Sequence, residues 1–453
     1  MKLMMQTMSV GMKMQELQLR FVRLSSYCFI CIIFTCLISG VISFFCGGGI
    51  AASVIFLFGQ VGALWLIVFG ISRRFSIDDI RLLFGSVYAV YGGTLPVAVL
   101  LGYHNIYDAH LTNLGVENAT WLYGCGLAGF NCACAIFPIK LVVGKNNYEI
   151  PCKLWAIKTA VVVGVFLFLG IYAYRIGYRF TGSINHEGAK LFYVQQWIVL
   201  TYFTQGLLMY YIMHKHEWPL LGRMLMWSML FLFIAFIFSL GNRRDFMPIV
   251  LISIGVWVNR RAKKIDWKAI TYFTLLGLLL LALGRIRYDT NIKDETIGDK
   301  LANTEFAYPV QTLVYYITKE RPEYLWGETY TRLPLLIVPR AIWTGKPKSL
   351  GTQFILDAFG TEDYQGFAFT PNTEAFLNFG YVGPVIIMAI IGIVFTILIK
   401  VSISYPGIYF IVLSSIFDLN RGEVSTWLYQ LIFILLGYGA LYCLGICRYR
   451  MVS

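Results

Sequence analysis

Long uncharged runs alternate with short polar stretches along almost the whole chain. The run from Ala51 to Ser72 carries no charged residue. At about 1.5 Å per helical residue it is long enough to cross a hydrocarbon core of about 30 Å. The same pattern predicts apolar spans near 25–46, 50–72, 82–102, 119–139, 155–174, 191–213, 219–240, 246–258, 268–284, 382–400, 403–417 and 427–447. That makes twelve helices and an all-α, polytopic membrane protein. The segments at 246–258 and 403–417 are short for a crossing, so charge has to decide how they count.

Lysine and arginine supply the topology. With the N-terminus placed in the cytoplasm, 21 of the 37 basic residues fall on the cytoplasmic side of a twelve-span chain. Most of the remainder lie in one long segment, 285–381, to which the positive-inside bias does not apply. If 246–258 did not cross, the run Asn259-Arg260-Arg261-Ala262-Lys263-Lys264 would sit outside. Twelve spans with both termini cytoplasmic follow as the expectation. The chain then divides into helices 1–9 over 1–284, a periplasmic loop over 285–381 and helices 10–12 over 382–453. Within the loop, Val310, Leu313, Val314 and Ile317 recur at helical spacing, and Leu333 to Ile342 is mostly apolar. Both read as short interfacial helices with one apolar side toward the bilayer.

Composition agrees and removes other classes. Charged residues make up 13% of the chain and hydrophobic ones 58%. A soluble domain carries nearer to about 25% charge. The net charge of +13 is therefore read as membrane topology, with no nucleic-acid partner. Eight of the ten cysteines lie inside apolar runs and read as small hydrophobes. No pair has the spacing of a zinc site, and neither a metal nor a cofactor is expected.

The informative residues are outer-face charges that topology does not explain. Arg243 and Arg244 stand in Gly-Asn-Arg-Arg-Asp, Arg285 and Arg287 follow span 9, and Arg421 lies in Asn-Arg-Gly-Glu. Arg175 and Arg179 share a helix face by their spacing of four. Arg340 lies in Val-Pro-Arg-Ala-Ile-Trp-Thr-Gly-Lys-Pro with Trp343 and Lys346. A guanidinium donates two parallel hydrogen bonds and stays charged, which suits a phosphate. Arg243, Arg244, Arg285, Arg287 and Arg421 are the candidates to hold a pyrophosphate on a long lipid. The alternative for each is snorkelling, or pairing with an acid such as Asp245 or Glu423. Glu374, in Pro-Asn-Thr-Glu-Ala-Phe-Leu-Asn-Phe-Gly, is the first candidate for a catalytic base and Asp245 the second. A carboxylate at membrane depth is costly unless it serves a purpose. A helix-start carboxylate facing the helix dipole is the other reading of Glu374. Trp326, Trp343 and the loop tyrosines are candidates to stack on sugar faces.

These segments resemble the Wzy-type oligosaccharide repeat-unit polymerases, also called O-antigen polymerases. The resemblance rests on Leu-Gly-Asn-Arg-Arg-Asp (240–245), Gly-Arg-Ile-Arg-Tyr (284–288), Leu-Pro-Leu-Leu-Ile-Val-Pro-Arg-Ala-Ile-Trp-Thr-Gly-Lys-Pro (333–347), Glu-Ala-Phe-Leu-Asn-Phe-Gly (374–380) and Asn-Arg-Gly-Glu (420–423). It implies a GT-C-like membrane glycosyltransferase, inverting and metal-independent, in the bacterial inner membrane with its site facing the periplasm. Its substrate would be an undecaprenyl-pyrophosphate-linked oligosaccharide, its setting the lipid bilayer, and its partner a chain-length-determining co-polymerase. Arg340, Trp343, Lys346 and Asn378 would belong to the loop that meets the substrate. An O-antigen ligase is the nearest alternative. Ligases of that kind depend on an outer-loop histidine, and 285–381 holds none. A flippase or exporter is the alternative from another class, and would place its charges inside the spans.

Overall fold

The computed structural model describes residues 49–72, 79–103, 112–140, 154–175, 198–239, 247–253, 296–319, 323–337, 347–360 and 368–452. No strand occurs among them. In chain order the described helices are α1 (Gly49–Ser72), α2 (Ile80–Leu100), α3 (Asn113–Ile136), α4 (Trp155–Arg175), α5 (Ile198–His214) and α6 (Leu220–Ser239), then a helical stretch at 247–253 within the expected span 246–258, with α7 (Ile297–Ala302), α8 (Tyr308–Thr318), α9 (Glu328–Thr331) and α10 (Leu350–Phe359) in the long loop. Then come α11 (Pro371–Phe379), α12 (Gly383–Val401), α13 (Pro406–Ser414), α14 (Ile416–Arg421) and α15 (Val424–Val452). Among the described residues seven stretches are helical, long and apolar enough to cross a membrane, the sixth being α11 and α12 taken together. The expected spans at 25–46 and 268–284 lie outside the described residues. The expected span at 403–417 is divided into α13 and α14 at Ser415. A nine-residue helix such as α13 is about 14 Å long, half of a hydrocarbon core.

The chain forms two compact units, the first comprising 1–140, 258–326 and 350–396. Here α1, α2 and α3 pack on one another, and glycines set how closely. A Cβ at Gly129 would stand 2.5 Å from the carbonyl oxygen of Val385, so α12 crosses α3 backbone to backbone. Phe84, Phe130 and Phe395 fill the core beside that crossing, with ring centroids 4.9 Å (Phe84 to Phe130) and 5.1 Å (Phe84 to Phe395) apart. Asp79 caps α2 and forms a buried ion pair with Arg81 at 2.7 Å. Arg81 Nη1 also donates to the Ile139 carbonyl at 3.0 Å, tying the start of α2 to the end of α3.

Two of the loop helices, α7 and α8, pack into this unit's core. Val310, Leu313 and Val314 of α8 are fully buried, and α8 packs on α3, α2 and α11. A Cβ at Gly115 would meet Val314 Cγ1 at 2.9 Å. The apolar side expected to lie on lipid therefore meets protein. Periodicity shows that one side is apolar but not what covers it. Likewise α7 seats Gly298 against the Ala98 carbonyl and Tyr103 amide at the end of α2.

The second unit comprises 141–257, 327–349 and 397–453. Its main pairing is α5 with α15. A Cβ at Gly206 would stand 2.0 Å from the Ile434 carbonyl, and one at Gly437 the same distance from the Phe203 carbonyl. Two glycines thus let the backbones touch, as small residues do in membranes. Gln430 donates to Tyr202 Oη at 2.7 Å across the same seam. The turn Leu333–Ile337 packs against α15 and leaves Leu335 half exposed.

Candidate functional site

The start of α11 is written in its sequence. Thr370 is the N-cap and accepts from the Thr373 amide at 3.3 Å, and Pro371 supplies the fixed φ of the first turn. Gly380 ends the helix at φ 63°, where a Cβ would crowd the Tyr324 ring at 3.1 Å. Every residue from Pro371 to Asn378 is buried, polar ones included.

The N-terminal end of α11 reaches the middle of two spanning helices. Tyr88, the ninth of 21 residues in α2, donates to Asn372 Oδ1 at 3.0 Å. Gly126, near the centre of α3, leaves room for both groups: a Cβ there would fall 2.6 Å from Tyr88 Oη and 3.1 Å from Asn372 Oδ1. Tyr123 Oη lies 3.1 Å from Thr370 Oγ1. Thr312 of α8 donates to the Ala368 carbonyl at 3.0 Å and lies 3.5 Å from Thr373 Oγ1. A hydroxyl- and amide-rich cluster thus sits about 12 Å from the Ile80 end of α2, at 1.5 Å per residue. Asn372 Nδ2 is buried there without a hydrogen-bond partner. Such an orphan donor is rare in a folded interior.

Glu374 is fully buried in the first turn of this helix. The helix N-terminus favours a carboxylate there, which suits both the dipole reading and the base reading. Its backbone carbonyl accepts from Asn378 Nδ2 at 2.8 Å. Asn378 is itself buried, and its carbonyl accepts from the Trp326 amide at 3.1 Å. Glu374 and Asn378 are therefore brought together on α11. Arg421 closes α14 in the second unit, partly exposed, and belongs to a stretch where Asp418 and Glu423 are buried. Arg243, Arg244, Asp245, Arg285, Arg287, Arg340, Trp343 and Lys346 lie outside the described residues, as does Arg179.

Sequence reasoning missed Tyr88, Tyr123, Thr312, Thr370 and Asn372. The only local signal was Thr370-Pro371, a helix-start pair; nothing in α2 or α3 marks Tyr88 or Tyr123 apart from their phenols in apolar runs.

The second unit holds another buried polar cluster. Lys158 Nζ donates to Glu217 Oε2 and to Tyr210 Oη, both at 2.7 Å. His214 Nδ1 lies 3.3 Å from Glu217 Oε1, and its Nε2 lies 3.2 Å from Tyr438 Oη. Trp218 Nε1 donates to Thr159 at 3.0 Å. Glu217 stands in the turn between α5 and α6. Burial pushes its carboxyl up, but the hydrogen bonds from His214 and Lys158 outweigh burial and hold it below the usual carboxylate range.

Fold and site together define the class: a polytopic membrane protein, without strands among its described residues, with a buried carboxylate in a helix that enters its core at mid-span. No family model, no curated protein and no solved structure matches the chain.

Proposed function

We propose that the chain polymerises lipid-linked oligosaccharide repeat units at the outer face of a bacterial inner membrane, with twelve crossings, cytoplasmic termini and a GT-C-like architecture. The observation that carries this reading is Glu374, a fully buried carboxylate in the first turn of α11, the helix whose N-terminal end meets Tyr88 and Tyr123 partway along α2 and α3. A structural helix start has no need of a carboxylate at that depth, whereas proton transfer from a sugar hydroxyl does. The motif resemblance at 374–380 falls on the same helix.

In the proposed reaction an acceptor sugar hydroxyl attacks the anomeric carbon of the donor chain. The new C–O bond forms as the bond from that carbon to the pyrophosphate oxygen breaks, with inversion. Glu374 takes the hydroxyl proton. Undecaprenyl pyrophosphate leaves with the electron pair, and the guanidinium groups of Arg243, Arg244, Arg285, Arg287 and Arg421 are assigned to its developing charge. Asp245 is the alternative base. A co-polymerase setting chain length belongs to the same reading.

The test is reconstitution of the full chain with defined lipid-linked repeat units. A ladder of products is expected, and single units left unextended would overturn the reading. In cells, deletion is expected to leave single repeat units on lipopolysaccharide. Polymer retained on the carrier lipid would instead indicate a ligase, and units trapped inside a flippase.

A further inference from the structure

Trp326 is the one non-glycine residue with positive φ among those described, at 47°. A bulky side chain rarely adopts this conformation, and where it does the surrounding structure enforces it. Here the enforcement is visible. Leu325 N donates to the Leu377 carbonyl at 2.9 Å and Trp326 N to the Asn378 carbonyl at 3.1 Å. Those carbonyls are among the last of α11, which the helix itself leaves unsatisfied. The turn is thus hung on the end of the helix that carries Glu374. The indole it presents is 78% exposed. Tyr324 stands edge to face with it at 6.2 Å, Phe376 of α11 lies 6.3 Å from Tyr324, and Tyr381, itself 55% exposed, lies 5.3 Å from Phe376. Two open aromatic faces therefore flank the exit of α11.

We propose that Trp326 is a stacking platform for a pyranose ring of the lipid-linked saccharide, with Tyr381, linked to it through Tyr324 and Phe376, as a second open ring. This deepens the polymerase reading and rests on it for the source of the sugar. The indole face carries negative quadrupolar charge and attracts the polarised C–H groups on one side of a pyranose. The anchoring amide contact lies one helical turn beyond Glu374, about 6 Å along the axis of α11. An indole that only anchored the protein in lipid headgroups would need exposure and nothing more. A left-handed backbone tied by two hydrogen bonds to α11 fixes position, which matters for a ligand and not for a fluid bilayer.

The experiment uses the full chain in nanodiscs, labelled with 5-fluorotryptophan. The Trp326 line is assigned by its absence from Trp326→Phe, a variant that keeps an aromatic ring and controls for folding. The probe is the saccharide released by mild acid from the carrier lipid of a strain lacking this chain. It is expected to shift the Trp326 line, while undecaprenyl phosphate alone leaves it in place. In the reconstituted reaction Trp326→Ala is expected to raise KM for the lipid-linked unit about tenfold, a larger change than the fall in kcat, equivalent to about 1.4 kcal/mol of binding. Trp326→Phe should lie between that variant and wild type. A wild-type KM in Trp326→Ala overturns the platform and leaves the polymerase reading standing. An unmoved line that a nitroxide-labelled lipid broadens instead makes Trp326 a bilayer anchor and also overturns it. Should wild type extend no repeat unit, the polymerase reading fails, and the released saccharide decides the platform by itself.

Discussion

The two buried polar clusters differ in how completely they satisfy themselves. In the second unit, Lys158, Glu217, His214, Tyr210 and Tyr438 form a closed set in which a charge meets its counter-charge and both imidazole nitrogens have partners within 3.3 Å. In the first unit, Tyr88, Tyr123, Thr312, Thr370, Thr373 and Asn372 surround the start of α11, and the Asn372 amide nitrogen is left over. A closed network rigidifies; an incompletely paired one next to a carboxylate has bonding capacity for something else. The comparison teaches that burial of polar groups alone does not mark a site; what sets the first cluster apart is the unmatched Asn372 amide two residues from a buried carboxylate.

The sharpest way to break this contrast is to alter one carboxylate in each cluster. Glu374→Gln keeps shape and burial and is expected to reduce polymer formation by about 10²–10⁴-fold, the range for a lost general base, with folded yield near wild type. Gel ladders from reconstituted protein measure this; a Gln variant that still builds long chains would remove Glu374 from the chemistry. Glu217→Ala leaves Lys158 as an uncompensated buried charge and is expected to destabilise by about 3–5 kcal/mol, read as lost monodisperse protein and a lower melting temperature. Activity per folded molecule should hold, and Lys158→Met combined with Glu217→Leu should recover much of the yield. Tyr88→Phe removes one donor to Asn372 and is expected to lower stability by only about 1 kcal/mol.

The smallest effect is acid sensitivity. Because the folded Glu217 carboxyl lies below its unfolded value of about 4.3, its stabilising contribution is complete above that pH and is lost as pH falls through the folded value. The melting-temperature gap between wild type and Glu217→Gln should therefore be constant from about pH 7 to 5 and narrow below about 4. A gap that widened with acid would contradict the assigned ion pair.

The membrane class and several helices were legible because hydrophobicity is additive along a run. α1, α2, α4, α6 and α12 each match, to within two residues at either end, an apolar stretch that sequence alone delimits, while α3 begins six residues before its stretch. The break at Ser415 was not, since Ile416 and Phe417 continue the apolar run of α13 past it. Glu374 was legible as a charge out of place. Its surroundings were not, because Tyr88 and Asn372 are 284 residues apart and no local pattern pairs them. The burial of α8 was hidden for a third reason: lipid and protein accept the same apolar stripe.

The glycine seam between α5 and α15 has a temporal side. Tyr202 and Gln430, which join across it, are separated by 228 residues. At a synthesis rate of roughly 5–20 residues per second, α5 emerges roughly 10–45 seconds before the segment that covers Gly206 exists. During that interval its narrow flank, shaped to touch another backbone, faces lipid or a caretaker. Maturation of the second unit is thereby timed by the synthesis of α15.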